Sequence, residues 1–250
     1  MYGKTIRMRR LFPDPARRLF SVPLDHAVSM GPIDGLEELA PLARELQDGG
    51  VDLLIVTKGA VRELAPVLDP GTRLGIHVSA STSLGPTANR KVLVGSAMEA
   101  VSLGADLLSV QVNFGIPEEA DMLSDLGVAV DQCRQLGLPL LCMAYVKKDG
   151  GGTPDELRHA ARAAADLGAD IVKTSYPGTL EDFRRLCRTT PVPLLIGGGV
   201  RVEPEGAFLR LVEESVQAGG AGICIGRNLF QRRPVAPLAR RIASVLHGTR

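Results

Sequence analysis

Lys173 is the residue whose sequence surroundings best suit covalent chemistry. It lies in the apolar run DIVKTSY at 170–176, directly after Ile171 and Val172. Such a run predicts a strand covered on both faces, where the charge of a lysine must be paired or lost. Desolvation or a nearby cation lowers the pKa of a lysine, and a neutral amine can attack a ketone to form a Schiff base. The alternative is a structural lysine whose ammonium reaches a carboxylate such as Asp25, and the spacing leaves both open.

Two other reactive side chains stand at the ends of apolar runs. Asp25 closes LFSVPLD, and Tyr145 closes PLLCMAY. Asp25 could act as a general acid or base, or keep a lysine charged, and the phenol of Tyr145 could donate a proton near an alkoxide. The alternatives are a loop or capping carboxylate and a tyrosine at the rim. Lys58 is a rival amine, but it follows its strand, which favours a solvent-facing role.

Glycine turns follow the last two apolar runs. PLLIGGG ends in Gly197, Gly198 and Gly199, and GICIGRN contains Gly226 followed by Arg227. Glycines let backbone N–H groups approach an anion closely, and a guanidinium adds a two-toothed contact. The pair of turns predicts a phosphate site, unless the glycines serve only to turn the chain.

Regular elements must bring these residues together. Eight short runs rich in Val, Ile and Leu recur along the chain, with helical patterns between most of them. The predicted strands are 19–25, 51–57, 73–80, 106–112, 139–145, 170–176, 193–199 and 222–228. The predicted helices are 35–48, 58–67, 96–103, 118–136, 154–167, 179–189, 203–218 and 234–247.

This alternation predicts an α/β protein with a single-domain (β/α)8 TIM barrel over residues 1–250. A doubly wound sheet shares the alternation, but it normally has a dinucleotide-binding glycine loop after its first strand, and LFSVPLDHAVSMGP has no such pattern. Active sites of barrels lie at the carboxyl ends of the strands, and phosphate commonly binds after strands seven and eight. Lys173, Tyr145, Asp25 and both glycine turns are therefore expected at one mouth.

Composition argues against several other classes of protein. The chain has 29 Lys and Arg against 28 Asp and Glu, and a net charge of +1 argues against a large nucleic-acid-binding surface. No apolar run approaches the ~18–20 residues that span a bilayer, and the start MYGKTIRMRRLF does not resemble a signal peptide. The 4 cysteines form no C-x-x-C pair, which favours reduced thiols in a cytoplasmic protein over disulfides or a zinc site.

The histidines show no metal-binding spacing. His26, His77, His159 and His247 form no H-x-x-x-H pattern, and the last two are expected on helix surfaces. A ligand set of Asp25, His26 and His77 is geometrically conceivable, but no metal site is predicted.

Six segments, in this order along the chain, carry a resemblance to a known family: SVPLDHAVSMGPI, GIHVSASTSL, RKVLVGSAMEAVSLGADLLSVQVN, GADIVKTSYPG, PLLIGGG and AGICIGRNLFQ. Together they resemble the Schiff-base (class I) aldolases of the DeoC and archaeal-type fructose-bisphosphate aldolase family. The branch they resemble most is that of 2-amino-3,7-dideoxy-D-threo-hept-6-ulosonate synthase, which includes the aldolases that open aminohydroxybenzoate biosynthesis. GADIVKTS alone is shared with deoxyribose-phosphate aldolases, so this segment indicates the chemistry better than the substrate.

The resemblance implies a role for each candidate residue. Lys173 would be the Schiff-base lysine, Tyr145 the proton donor and Asp25 an acid/base group. The predicted substrate and phosphate contacts are His26, Lys147, Gly198, Gly199, Gly226 and Arg227.

One loop departs from the family pattern. The family commonly follows its strand-five tyrosine with Pro-Arg-Gly, whereas Tyr145 is followed by Val146-Lys147-Lys148-Asp149 and then by glycines at 150–152. Two positive charges at the mouth would suit an acceptor that carries a carboxylate. Alternatively, both lysines are solvated on a flexible loop and contact nothing.

The resulting prediction is a cytoplasmic, homo-oligomeric class I aldolase or transaldolase. Its donor would be a phosphorylated ketose or dihydroxyacetone phosphate, and its acceptor an aldehyde such as L-aspartate semialdehyde. No metal or organic cofactor is expected, because an iminium polarises the ketone as a metal would. The alternatives are a fructose-bisphosphate aldolase of sugar metabolism, a phosphosugar isomerase or epimerase, and a non-catalytic phosphate-binding barrel.

Overall fold

The apolar runs form parallel strands that close into a barrel, as predicted. The structure, a computed structural model, describes residues 2–148 and 151–248. Its strands are β1 Leu19–Pro23, β2 Leu53–Thr57, β3 Arg73–His77, β4 Ser79–Ala80, β5 Val92–Leu93, β6 Leu107–Phe114, β7 Leu140–Val146, β8 Ile171–Ser175, β9 Leu194–Gly197 and β10 Gly222–Cys224. The closed barrel has the order β1, β10, β9, β8, β7, β6, β3 and β2, while β4 and β5 pair separately. Because all eight barrel strands are parallel, their carboxyl ends share one mouth.

Helices cover the outside of the barrel. They are α1 Tyr2–Leu11, α2 Ala27–Met30, α3 Leu39–Asp48, α4 Val61–Leu64, α5 Ala97–Ser102, α6 Glu119–Leu136, α7 Pro154–Asp166, α8 Leu180–Thr189, α9 Glu205–Gln217, α10 Arg227–Phe230 and α11 Val235–His247. The starts read from the sequence are confirmed by their caps. The hydroxyl of Thr153 accepts from the Glu156 amide at the start of α7, and the hydroxyl of Thr179 accepts from the Asp182 amide before α8.

The strands divide the apolar core into two parts. Alternate residues face opposite sides of a strand, so that in β2 Leu54 and Val56 pack outward against the helices while Leu53 and Ile55 fill the barrel interior. Because both faces of β2 are covered, Leu53, Leu54, Ile55 and Val56 are all completely buried. Burial on both faces explains why the strand segments read as unbroken apolar runs.

Several predicted boundaries differ from the structure, and three of the differences affect how the chain leaves a barrel strand. The run 73–80 is one predicted strand, but β3 leaves the barrel after His77, and β4 pairs antiparallel with β5. The predicted helix 58–67 is shorter, with a 3₁₀ turn followed by α4. The run 222–228 is strand only to Cys224, and its last two residues begin α10. All three differences lie at the mouth, where the chain turns away from the regular barrel.

Helix α1 is absent from the sequence-based prediction. Its Leu11 is buried in the interior cluster, with Met8 and Phe12 packed beside it, while Lys4 forms an ion pair with Asp170 at 2.8 Å. This helix therefore closes the amino-terminal end of the barrel. The segment is rich in basic residues, so its short apolar edge was not visible as a helical pattern.

The expected surface position of His247 is wrong. Its Nε2 lies 2.9 Å from Oδ2 of Asp52, an oxygen that also accepts from the Phe20 amide at 2.9 Å. These hydrogen bonds attach the end of α11 to the barrel. His159 is exposed on α7, as expected.

The structure also describes the cysteines and the helices that bear on membrane insertion. All four cysteines lie in the described ranges as unpaired thiols. Across residues 2–148 and 151–248, no helix combines the length and apolar character needed to traverse a membrane.

Candidate active site

Every predicted site residue lines one cavity of about 300 Å³ at the carboxyl ends of the strands. Its wall includes Asp25, His26, Tyr145, Lys147, Lys173, Gly198, Gly199, Gly226 and Arg227. A concave site of this size fits a small phosphorylated metabolite. Barrel closure thus brings together residues that are up to two hundred positions apart in sequence.

Lys173 lies in the middle of β8, between Met143 of β7 and Leu195 of β9. Its side chain is buried, with Nζ 3.8 Å from Sδ of Met143. The nearest contacts of the Asp25 carboxylate are instead His26 and His77, and no Asp25–Lys173 ion pair forms in the described structure. The structure therefore does not support the alternative in which Lys173 is held by a direct ion pair with Asp25.

The direction of the Lys173 pKa shift is opposite to the sequence-based expectation. Burial by itself lowers this pKa, but the neighbouring acids Cys224, Tyr145 and Asp25 outweigh burial, and the pKa is raised. The amine therefore carries a proton in the ligand-free site. It must pass that proton to an acceptor before it can attack a ketone.

Asp25 is suited to accept protons. Burial raises its pKa, but His77, His26 and Lys173 outweigh burial and lower the pKa, so the group is a carboxylate at neutral pH. Its Oδ1 lies 3.4 Å from Nδ1 of His26, and its Oδ2 lies 3.7 Å from Nε2 of His77. Burial lowers the pKa of His26 to about 4 and also lowers that of His77, so both rings are neutral. Ser109 holds the other nitrogen of His77 at 3.0 Å.

Tyr145 keeps its proton and lies beside Lys173. Burial raises the pKa of its phenol, so the group is a proton donor throughout the neutral range. Gly197 of β9 faces both side chains: a Cβ built there would lie 3.3 Å from both Oη of Tyr145 and Cε of Lys173. The missing side chain at Gly197 therefore allows the amine and the phenol to face the same small volume.

The two glycine turns follow β9 and β10, which are neighbours in the barrel, and lie side by side at its mouth. The buried side chain of Asn228 donates to the carbonyls of Gly198 at 2.8 Å and Val200 at 2.9 Å, which ties the turns together. A Cβ on Gly226 would lie 2.9 Å from the Pro23 carbonyl, so the chain passes too close for another residue. Beside them, Nε of Arg227 is buried with no hydrogen-bond partner in the described structure. An oxyanion is the ligand that such a donor lacks.

The two loop lysines have different positions. The Nζ of Lys147 lies 5.5 Å from the centroid of the Tyr145 ring, and burial together with Arg227 lowers the pKa of the amine. Lys148 instead pairs with Glu156 outside the cavity. The expectation that both lysines bring charge to the mouth is therefore wrong for Lys148, because the start of α7 holds it away. Asp149 and Gly150 lie outside the described residues.

Sequence reasoning missed several residues of the cavity wall. His77 and Ser79 are polar residues at a predicted strand end, but neither was among the predicted site residues, and Lys91 and Gln111 were not singled out. Lys91 belongs to the segment RKVLVG, which follows a polar stretch without a predicted element. Within the described residues, no group of three or more His, Cys, Asp and Glu side chains is arranged to hold a metal ion.

The profile of the DeoC/LacD family aldolases matches residues 19–232. The chain belongs to the DeoC/LacD aldolase family. It is 36% identical over 254 residues to the 2-amino-4,5-dihydroxy-6-oxo-7-(phosphonooxy)heptanoate synthase of Streptomyces griseus, across 100% of this chain and 93% of that protein. It is also 36% identical over 248 residues to 2-amino-3,7-dideoxy-D-threo-hept-6-ulosonate synthase 1 of Archaeoglobus fulgidus, across 99% of this chain and 92% of that one.

Solved aldolase structures share the whole barrel. A crystal structure of an archaeal fructose 1,6-bisphosphate aldolase superposes with a TM-score of 0.89 at 28% identity and covers 98% of this chain and 100% of that one. A second archaeal structure has its catalytic Lys covalently bound to the carbinolamine intermediate of its substrate, with a TM-score of 0.86 at 28% identity and coverage of 98% and 100%. The predicted family, barrel fold and class I aldolase activity are confirmed. The roles of individual residues stay predictions for this aldolase.

Proposed function

We propose that this aldolase joins dihydroxyacetone phosphate, or a phosphorylated ketose donor, to an aldehyde such as L-aspartate semialdehyde through a Schiff base on Lys173. The observation that carries the proposal is the buried amine of Lys173, whose Nζ lies 5.9 Å from the centroid of the Tyr145 ring and one strand away from a turn open to phosphate. The products named for the synthases of S. griseus and A. fulgidus, which carry a 2-amino group and a carboxylate on a seven-carbon chain, support the acceptor class.

The proton transfers of this reaction are divided among Lys173, Asp25 and Tyr145. Lys173 first releases its proton and forms a bond to the ketone carbon, and the ketone oxygen leaves as water. The resulting iminium withdraws electrons from the adjacent carbon, whose proton the Asp25 carboxylate can accept. The enamine then attacks the aldehyde, and the protonated Tyr145 donates to the developing alkoxide. Water adds to the product iminium and breaks its C–N bond, which releases the ketone product and the Lys173 amine, while Asp25 and Tyr145 return to their starting protonation states. These steps require no metal, because the iminium itself supplies the electron sink.

Arg227 is proposed to bind the donor phosphate with Gly198, Gly199 and Gly226. Arg227→Ala should reduce kcat/KM for a phosphorylated donor by roughly 10- to 150-fold, since a charge-assisted pair contributes about 1.5–3 kcal/mol. Measuring kcat/KM of both proteins with dihydroxyacetone phosphate and with dihydroxyacetone, which lacks the phosphate, would measure the effect. Arg210→Ala, on the exposed side of α9, is the matched control. An equal loss with dihydroxyacetone would contradict a phosphate contact.

Lys147 is proposed to act on the acceptor from the mouth of the cavity. Lys147→Ala should raise KM several-fold for a carboxylated aldehyde and hardly change KM for a neutral one of the same length, because an exposed charge contributes about 1 kcal/mol or less. The adjacent Lys148→Ala is the control, since Lys148 is held by Glu156. If Lys147→Ala alters both aldehydes alike, or neither, the loop does not select the acceptor.

The substrate assignment can be tested with a panel of aldehydes against dihydroxyacetone phosphate. L-Aspartate semialdehyde should give the highest kcat/KM, whereas a clear preference for glyceraldehyde 3-phosphate would favour a fructose-bisphosphate aldolase. The similarity of the archaeal structures keeps that second candidate in the panel. A homo-oligomeric state and a cytoplasmic location also belong to the proposal, and sedimentation and cell fractionation would test them.

A further inference from the structure

Lys91 is a buried cation in the cavity wall to which the reaction scheme gives no role. Only 8% of the residue is exposed, and its Nζ lies 2.9 Å from Oγ of Ser29 and 2.6 Å from Oγ of Ser81. Both partners are neutral hydroxyls, and no carboxylate of the described residues forms an ion pair with Lys91. An ammonium has three N–H donors, so one remains after the two serines. The group therefore has hydrogen bonds but lacks a counter-charge.

Its position in the barrel sets the direction of a substrate. Lys91 directly precedes β5, which pairs with the short β4 that continues from β3. In the closed strand order, β3 and β6 lie across the mouth from β9 and β10. Because the glycine turns and Arg227 follow β9 and β10, the backbone of Lys91 lies across the mouth from the phosphate end, while its side chain reaches into the mouth as far as Ser29 of α2. Lys173, on β8, lies between them around the barrel, so a product that extends from the donor phosphate past the imine points toward Lys91.

The charges in the cavity favour a second anion. Among the described lining residues, the cations are Lys91, Lys147, Lys173 and Arg227, and the carboxylate is Asp25. A bound phosphate dianion offsets two of the excess positive charges, and a further negative group would neutralise the rest. Burial lowers the pKa of Lys91, with Lys147 adding to this effect and Asp25 opposing it. A bound anion would hold the amine in its charged form.

We propose that Lys91, supported by Ser29 and Ser81, binds a negatively charged group of the acceptor aldehyde in the part of the mouth between α2 and the β4–β5 hairpin. The proposal deepens the aldolase function described above and rests on it. A carboxylate and a phosphate share the recognising chemistry, and substrate choice distinguishes them. Lys91 would also connect α2 to the β4–β5 hairpin, so the test must separate charge recognition from a purely structural role.

The ratio of kcat/KM for an anionic over a neutral acceptor provides that separation. Lys91→Met should lower the ratio for succinic semialdehyde over butanal by about tenfold or more, as expected when a buried charge-assisted contact is lost. The same measurement with glyceraldehyde 3-phosphate over glyceraldehyde reports a phosphate at this position. The loss should exceed that of Lys147→Ala, because Lys91 is the more buried cation. Lys91→Arg, which keeps the charge, should recover part of the ratio.

Lys58→Met is the matched control, because Lys58, which follows β2, is also a lysine at this mouth but pairs with Glu99 outside the cavity. Borohydride trapping of Lys173 with dihydroxyacetone phosphate, which needs no acceptor, reports folding and the donor half-reaction in each variant. If Lys91→Met is still trapped and its kcat/KM ratios are unchanged, the assignment of Lys91 is overturned while the Schiff-base function stands. An equal fall of the kcat/KM ratios in Lys58→Met would have the same consequence. Absence of trapping in the unaltered protein would overturn the Schiff-base function and the Lys91 site with it.

Discussion

Replacing Lys173 with methionine should lower aldol activity by about 10⁴-fold or more, because every later step of the proposed mechanism depends on the imine that this amine forms. The fold should persist, since methionine fills a similar volume and removes a buried charge whose desolvation is costly. Steady-state rates with dihydroxyacetone phosphate, together with thermal unfolding of both proteins, would measure the two effects.

Borohydride trapping identifies the reacting amine directly. In the unaltered protein, reduction in the presence of dihydroxyacetone phosphate should inactivate the enzyme and add the mass of the reduced ligand to the peptide that contains Lys173. Lys173→Met should show no adduct. Label on Lys58, Lys91 or Lys147 instead would show that a different lysine forms the imine.

Replacing Tyr145 with phenylalanine should lower kcat by roughly 10²–10⁴-fold, the usual contribution of a positioned acid. Only the phenolic oxygen is removed, so the ring keeps its packing beside Lys173, and KM for the donor should change far less than kcat. Because the Tyr145 pKa is raised, its donor form is present at all pH values below that raised pKa. The loss should therefore be similar across the neutral range.

Tyr176→Phe supplies the matched comparison. This second phenol donates to the carboxylate of Glu214 on α9 and is absent from the cavity wall. Its removal should leave kcat within about a factor of two, as expected for a group remote from the reaction. Comparable losses in Tyr145→Phe and Tyr176→Phe, or near-normal kcat in Tyr145→Phe, would remove Tyr145 from its proposed role as the proton donor.

Most of the barrel could be predicted because burial leaves a local pattern. Strands such as β2 and β8 are covered on both faces, which demands apolar residues at every position and makes the exception at Lys173 conspicuous. The helix starts at Thr153 and Thr179 also depend on neighbours within three residues. Elements with fewer local constraints escaped: β4 and β5 have two residues each, too few for a period, and α1 has only a short apolar edge.

The residues that share the mouth were also predictable, since every parallel strand of a barrel ends at the same side. This rule placed Asp25, Tyr145, Lys173 and the glycine turns together without any distance being known. It could not indicate that Gly197 leaves open space beside the amine and the phenol, or that Asn228 ties the two turns together.

Charge states and individual partners depended on the closed barrel. The raised pKa of Lys173 arises from Cys224, Tyr145 and Asp25, which come from three other strand ends, so local sequence suggested the opposite direction. The ion pair of Lys148 with Glu156 was likewise not predictable, because Glu156 lies on the following helix. Periodicity records whether a residue is buried, and a motif records which chemistry it can perform. The electrostatic field at a buried group is the sum over neighbours distant in sequence, and only folding brings them within reach.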